Sequence, residues 1–180
     1  MMDKFRIGYF SSRKIEDQYI GAVMVTDHQS IPIEFKYTDP IRPTRIHKII
    51  FGKVLEKYIG EDVIKKNLLK EVKNVPSILF VTELELLGED PINRVPMVAL
   101  QTTTLPGLSA AGEFQRVKEK EFIIQPLTST NPLKLSFYSP EPDVQERVMN
   151  ILRSFIDKID IYEPFTRVET ALKSICLKKS

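Results

Sequence analysis

The sequence has 180 residues, of which 42% are hydrophobic and 28% are charged, and its formal net charge is +2. This composition is typical of a soluble globular domain with a substantial core, and it excludes a collagen-like chain, a disordered acidic tail and a disulfide-rich scaffold. The single cysteine, Cys176, cannot form an intramolecular disulfide. We interpret it as a small buried residue rather than a nucleophile.

The N-terminus is interrupted by charged residues and lacks the apolar core of a signal peptide. No stretch of the sequence approaches the roughly 18 uncharged apolar residues that a membrane-spanning helix needs. We therefore expect a cytoplasmic protein with no membrane contact.

The first part of the chain predicts three strands. Residues 4–10 are expected to form a short strand, and residues 11–16 a polar turn. Residues 19–26 are continuously apolar, which is typical of a central strand buried on both faces. Residues 31–37 alternate between apolar and polar side chains, which indicates a half-buried strand. These last two strands are close enough in sequence to form a β-hairpin.

A helix is predicted after the proline-containing residues 39–43, with Thr44 as its N-cap. Apolar residues recur every four positions along it and predict a buried stripe. The stripe consists of Ile46, Ile50, Val54 and Tyr58, widened by Ile49 and Leu55. Gly60 is placed like a glycine that ends a helix, and a second helix is expected to begin near Glu61.

The rest of the chain predicts more strands and then two helices. Strands are expected within residues 77–87, 94–103, 114–127 and 133–138, with a flexible loop over residues 105–112. From Asp143 the apolar period becomes helical, and Pro164 suits the first turn of a last helix. This order predicts an α+β fold with a mostly antiparallel sheet, an internal helix or helix pair and a C-terminal helical pair. We expect residues 141–180 to pack on the α+β domain of residues 1–140, or to form a homodimer interface.

The charges are unevenly distributed, and one cluster is basic. Three cations lie at the predicted N-terminus of the first helix, where the helix dipole favours negative charge. Together with the helix N–H groups they predict a site for an anion. The candidate anion-binding residues are Arg42, Thr44, Arg45 and Lys48. An internal carboxylate such as Glu34 or Asp39 is one alternative partner for these cations, and plain solvation is another.

Residues 34–44 resemble a segment of bacterial proteins of unknown function, and the shared letters are E-F-K-Y-T-x-P-I-R-P-T. The resemblance implies a shared domain. It implies no activity, and it transfers no catalytic residue.

An acidic cluster gives a second candidate site. Glu83 and Glu85 are two positions apart in a predicted strand, so both carboxylates would project from one face. If the strand that ends at Asp27 is a neighbour, the three carboxylates would converge and hold Mg²⁺ or Mn²⁺. This layout resembles that of ribonuclease-H-like nucleases, where carboxylates from neighbouring strands hold metal ions, and it implies phosphodiester hydrolysis. Two departures are the lack of an identifiable third acidic position in a later helix and a longer succession of strands. The alternative is a solvated strand face.

Three functions remain open. The main hypothesis is a non-catalytic binding or accessory module without a cofactor, which holds a nucleic-acid backbone, a nucleotide or an acidic protein at the basic cluster. The second is a metal-dependent phosphodiesterase or nuclease that uses Asp27, Glu83 and Glu85. The third is a structural subunit that forms a homodimer through its C-terminal helices. The sequence contains no glycine-rich phosphate loop, nucleophile elbow or zinc-ligand spacing, so we lean towards a protein that is not an enzyme.

Overall fold

An eight-stranded sheet with helices on both faces forms the centre of the molecule. The computed structural model describes residues 5–88 and 94–178. The strands are β1 (Ile7–Ile15), β2 (Gln18–Thr26), β3 (Pro32–Tyr37), β4 (Ile78–Val81), β5 (Met97–Thr102), β6 (Phe114–Lys118), β7 (Glu121–Ile124) and β8 (Leu133–Phe137). The α-helices are α1 (Arg45–Phe51), α2 (Leu55–Tyr58), α3 (Lys66–Glu71), α4 (Pro142–Arg153) and α5 (Glu163–Lys178). Short 3₁₀ segments cover Gly52–Val54 and Leu84–Leu86, and a π-helical turn covers Ile59–Lys65.

The strands lie in the order β3-β2-β1-β4-β5-β8-β7-β6. The three central strands β1, β4 and β5 run parallel to one another, and the remaining neighbours pair antiparallel. The α+β fold with a mostly antiparallel sheet is thereby confirmed, together with its internal helical run and its C-terminal helices. The parallel centre places the carboxyl ends of β1, β4 and β5 at one edge of the sheet.

Each face of the sheet carries its own apolar core. One face packs against the helical run from α2 to α3, with Ile64 of the π-helical turn fully buried. This turn lies directly on β2, because a Cβ atom placed on Gly21 would be 2.1 Å from Cγ2 of Ile64. The other face packs against α4 and α5, where Phe165 and Leu172 are buried. Cys176 is also buried on this face, and desolvation raises the pKa of its thiol.

Three predicted element boundaries are wrong. β1 extends to Ile15 instead of ending at residue 10, because every residue from 7 to 15 pairs with β2. The strand predicted over residues 77–87 ends at Val81, and Glu83 and Glu85 lie in and beside a 3₁₀ segment. Gly60 does not end a helix, since it is buried inside the π-helical turn and the helical run continues to Glu71.

The buried stripe predicted for the first helix is also wrong, because α1 buries none of its residues. The exposed fractions are 63% for Ile46, 69% for Ile49, 71% for Ile50 and 60% for Val54. Gly52 explains the difference, since its φ of +53° and the 3₁₀ segment that follows interrupt the helical register. The sheet is therefore covered from Leu55 onwards and by a different helix face.

The two C-terminal helices bury their apolar faces within the same chain. Val148 and Leu152 of α4 and Phe165 and Val168 of α5 belong to one cluster with residues of the sheet. α5 lies over β1 and β2. Within residues 5–88 and 94–178, no helix combines the length and the apolar character needed to cross a bilayer.

Candidate functional site

The carboxyl ends of β1 and β4 carry a group of hydrogen-bonded charged side chains. Arg13 on β1 donates from Nη1 to Oε1 of Glu83 at 2.5 Å and from Nε to Oε1 of Glu169 at 2.8 Å. Ser11 donates from Oγ to the same oxygen of Glu169 at 2.6 Å. One guanidinium therefore holds two carboxylates from separate elements, since Glu83 follows β4 and Glu169 lies on α5. We call Ser11, Arg13, Glu83 and Glu169 the Arg13 cluster.

Strand alternation and helix packing explain how the Arg13 cluster forms. Tyr9, Ser11 and Arg13 are two positions apart on β1 and therefore project from one face of the sheet. The ring of Tyr9 lies edge-on to the ring of Phe165, with centroids 5.2 Å apart, and this contact fixes α5 over β1. Glu169 is four residues after Phe165 and shares its helix face, which places its carboxylate above the next part of β1.

The Arg13 cluster is partly open to solvent. Ser11 is fully buried, whereas the side chains of Arg13, Glu83 and Glu169 are 34%, 43% and 24% exposed. Partial burial lowers the pKa of Arg13, but the hydrogen bond and charge of Glu169 and the charge of Glu83 outweigh it and raise that pKa overall. The guanidinium therefore stays charged, and it offsets part of the negative charge of the two carboxylates.

Arg13 and Glu83 line a first cleft with a volume of about 630 Å³. Lys53 and Lys57 from the helical run line the same cleft. Within residues 5–88 and 94–178, neither lysine side chain makes a hydrogen bond or an ion pair. The cleft thus presents two unpaired cations together with the Arg13 cluster, and Glu56, Glu61 and Glu85 also line it.

A second cleft of about 640 Å³ begins at Thr82, directly before Glu83. Hydroxyl groups at the carboxyl end of β5 line it, together with one cation from β8 and one phenol from the segment before α5. These residues are Thr102, Thr103, Thr104, Lys134 and Tyr162. The two clefts flank the Arg13 cluster along the edge where the parallel strands end.

The structure does not bring Asp27 to Glu83 and Glu85. β2 runs antiparallel to β1, so Asp27 lies beside the start of β1 and β4, whereas Glu83 follows the end of β4. These positions are separated by about six residues of strand, or roughly 20 Å. Oδ1 of Asp27 accepts the N–H groups of Gln29 and Ile31, both at 2.9 Å, and shapes the turn before β3. Glu85 lines the first cleft, and among the described residues the ion pairs of Arg13 are with Glu83 and Glu169.

Thr44 caps α1 as expected. Its Oγ accepts the N–H of His47 at 3.2 Å, and Nδ1 of His47 accepts the N–H of Thr44 at 3.4 Å. This capping box satisfies polar groups at the start of the helix within the chain. The hydroxyl of Thr44 is therefore engaged in the cap.

The three cations predicted to bind an anion differ in their surroundings. Lys48 lies 3.9 Å from a carboxylate oxygen of Asp17. In the described part of the chain, the side chains of Arg42 and Arg45 form no ion pair or hydrogen bond. Glu34 does not neutralise them, because its carboxylate accepts the backbone N–H groups that follow α3. The anion site on these cations stays a prediction.

Sequence reasoning missed Ser11, Arg13 and Glu169. The alternation of Ile7, Tyr9, Ser11 and Arg13 was the available signal, since it continues the first strand into the residues assigned to a turn. Glu169 gave no comparable signal. Its partner Arg13 is 156 positions away in sequence, and helical spacing alone places it only beside an apolar stripe.

The Arg13 cluster contains two carboxylates and one hydroxyl as possible metal ligands. In the residues that the structure describes, no group of three or more His, Cys, Asp or Glu residues is arranged to hold a metal ion. Mg²⁺ in proteins is commonly held by one or two carboxylates, with water and substrate phosphates completing its coordination. The donor set therefore fits a divalent cation that shares its coordination with a bound phosphate.

No protein-family model and no curated protein matches this sequence. The fold, in contrast, is similar to that of endonuclease V. Endonuclease V from Streptomyces avermitilis has a TM-score of 0.62 at 11% identity, over 99% of this chain and 87% of that chain. The Bacillus subtilis protein has a TM-score of 0.61 at 10% identity, over 99% and 82% of the two chains.

A third similar structure is endonuclease V from Ciona intestinalis, solved in complex with DNA that contains an inosine followed by a ribo-adenosine. Its TM-score is 0.60 at 11% identity, over 98% of this chain and 87% of that chain. At such low identities these comparisons establish the fold alone. The chain has an endonuclease V-like fold, with the Arg13 cluster at the carboxyl ends of its parallel strands.

This likeness corrects the prediction that no cofactor is needed. The similarity of the fold to that of endonuclease V contradicts that prediction. The carboxylates gathered at the strand ends are those of Glu83 and Glu169, rather than the predicted set of Asp27, Glu83 and Glu85.

Proposed function

We propose that this protein is a metal-dependent phosphodiesterase that cleaves nucleic acid, with the Arg13 cluster as its active site. The observation that carries the proposal is the contact of Arg13 with both Glu83 and Glu169 at the carboxyl ends of two parallel strands. Open α/β sheets bind ligands at such strand ends. The endonuclease V-like fold supports this function over the non-catalytic module that the sequence first predicted, and the DNA complex of the Ciona protein supports a nucleic-acid partner.

Each member of the Arg13 cluster has a distinct role in this proposal. Glu83 and Glu169 would hold Mg²⁺ or Mn²⁺, and the hydroxyl of Ser11 orients the Glu169 carboxylate. A divalent cation at this position supplies Lewis-acid stabilisation of a phosphoryl oxygen. Arg13 binds a non-bridging oxygen of the scissile phosphate and stabilises the negative charge that develops there.

The two clefts would hold the nucleic-acid backbone on either side of the scissile phosphate. Lys53 and Lys57 contact phosphates in the first cleft, and Lys134 does so in the second. Arg42 and Arg45 extend the basic surface beyond the first cleft. Because contacts between lysine or arginine and phosphate release counterions, binding weakens steeply as the salt concentration rises.

A cleavage assay tests this function. Single-stranded and double-stranded DNA and RNA are incubated with the purified protein and Mg²⁺ or Mn²⁺, with an EDTA control. We expect metal-dependent cleavage of at least one substrate. In Glu83→Gln and in Glu169→Gln the rate of cleavage should fall on the order of a hundredfold. Glu146→Gln makes the same charge change on the exposed face of α4 and should leave cleavage unchanged. If no substrate is cleaved with either metal, or if both active-site variants cleave normally, the proposal is wrong.

We also propose that the protein is cytoplasmic and that it forms a homodimer through its C-terminal helices. Both statements rest on the sequence. Light scattering tests the second one, and a monomer mass would reject it.

A further inference from the structure

Arg13 occupies the space where its two carboxylate partners converge. Its Nη1 and Nε atoms belong to one guanidinium, and they bind Oε1 of Glu83 and Oε1 of Glu169. The hydroxyl of Ser11 donates to the same oxygen of Glu169. The Oε1 atoms of both carboxylates are therefore already engaged by donors within the chain.

A divalent cation held between the two Oε1 atoms would compete with the guanidinium for them. Such a cation must displace Arg13 or share the space with it, and the two positive charges repel each other. Arg13 has room to leave, because its side chain is 34% exposed and lines the first cleft. A phosphate in that cleft offers the guanidinium a partner of matching bidentate geometry.

We propose that Arg13 is an internal counter-cation that keeps the Glu83–Glu169 pair closed to metal until a nucleic-acid phosphate draws the guanidinium away. This inference rests on the proposed function and adds a regulatory step to it. Substrate binding then opens the carboxylate pair, and the metal loads on the protein that already holds nucleic acid. Because binding free energies are reciprocal, nucleic acid must raise the affinity for metal by the same factor as metal raises the affinity for nucleic acid.

The first test measures Mn²⁺ binding without any catalytic readout. The electron paramagnetic resonance signal of free Mn²⁺ is titrated with the wild-type protein and with Arg13→Gln, both without nucleic acid. We expect Arg13→Gln to bind Mn²⁺ about tenfold more tightly, which lies within the usual range of coupling between sites. Arg153→Gln makes the same charge change on α4, where Arg153 lies over the ring of Phe114 on the edge strand β6, and should leave the affinity unchanged. If Arg13 were only a structural clamp, Arg13→Gln would bind Mn²⁺ equally or more weakly, and that result would overturn the inference.

The second test needs no substitution at Arg13 and covers the case in which Arg13→Gln does not fold. Mn²⁺ binding to the wild-type protein is measured with and without a short single-stranded DNA that has a hydrolysis-resistant phosphorothioate backbone, after subtraction of Mn²⁺ binding to the DNA alone. We expect the DNA to tighten Mn²⁺ binding about tenfold. An unchanged affinity in a protein that cleaves nucleic acid would overturn the gating by Arg13 and leave the proposed function intact. A protein that neither cleaves nor binds Mn²⁺ under any condition would remove both.

Discussion

Two isoleucines of the same helical run should differ sharply in their contribution to stability. Ile50 on α1 is 71% exposed, whereas Ile64 in the π-helical turn is fully buried against β2. Truncation of a buried isoleucine to alanine removes its transfer free energy and leaves a cavity, which costs about 2–5 kcal/mol. Truncation of an exposed side chain changes stability by about 0.5 kcal/mol or less. We therefore expect Ile64→Ala to be strongly destabilising and Ile50→Ala to be nearly neutral.

Urea unfolding followed by circular dichroism measures both variants against the wild-type protein. The midpoint should fall clearly for Ile64→Ala and stay within error for Ile50→Ala, with similar m-values in all three proteins. The comparison is matched, because both variants make the same chemical change in one helical run. Equal losses would refute the structural reasoning, since they would mean that the helical run packs with the Ile46, Ile50 and Val54 face on the sheet.

Three further predictions concern packing, capping and pH. Gly21→Ala should cost about 1–3 kcal/mol, because its Cβ would meet Cγ2 of Ile64 at 2.1 Å, and a double-mutant cycle with Ile64→Ala should recover part of this loss. Thr44→Ala should cost about 1 kcal/mol of helix stability, because it removes the side chain that caps α1. The amide groups in the first turn of α1 should then exchange hydrogen faster. Although partial burial raises the pKa of Glu34, the hydrogen bonds that it accepts from backbone N–H groups and one side-chain amide lower that pKa overall. The ionised carboxylate of Glu34 therefore stabilises the fold above the unfolded pKa of about 4.3, and this contribution is lost as the pH falls through the lower folded pKa. Glu34→Gln should therefore reduce the change of the free energy of unfolding with pH between about pH 5 and pH 2, measured in acid titrations.

The fold could be predicted wherever a pattern reports on local burial. Residues 19–26 were expected to be buried on both faces, and every residue of β2 is buried. The apolar stripe of α5 likewise identifies the face that packs on the sheet. The stripe of α1 failed for a physical reason. Periodicity identifies residues that share a helix face, but the position of the sheet decides whether that face is covered.

The candidate site depends on strand direction, which hydrophobic alternation does not encode. Because β2 is antiparallel to β1 while β4 is parallel to it, the carboxyl end of β4 meets the carboxyl end of β1 and the amino end of β2. A carboxylate at the end of β2, such as Asp27, therefore cannot reach Glu83 whatever its spacing in sequence. Glu83 follows the end of β4, but its partner Arg13 comes from the end of β1, and Glu169 comes from a helix that crosses this edge. The carboxyl ends of β1, β4 and β5 thus lie together at one edge of the sheet, and Asp27 lies at the opposite edge. This arrangement favours the Arg13 cluster over the carboxylate group predicted from the sequence.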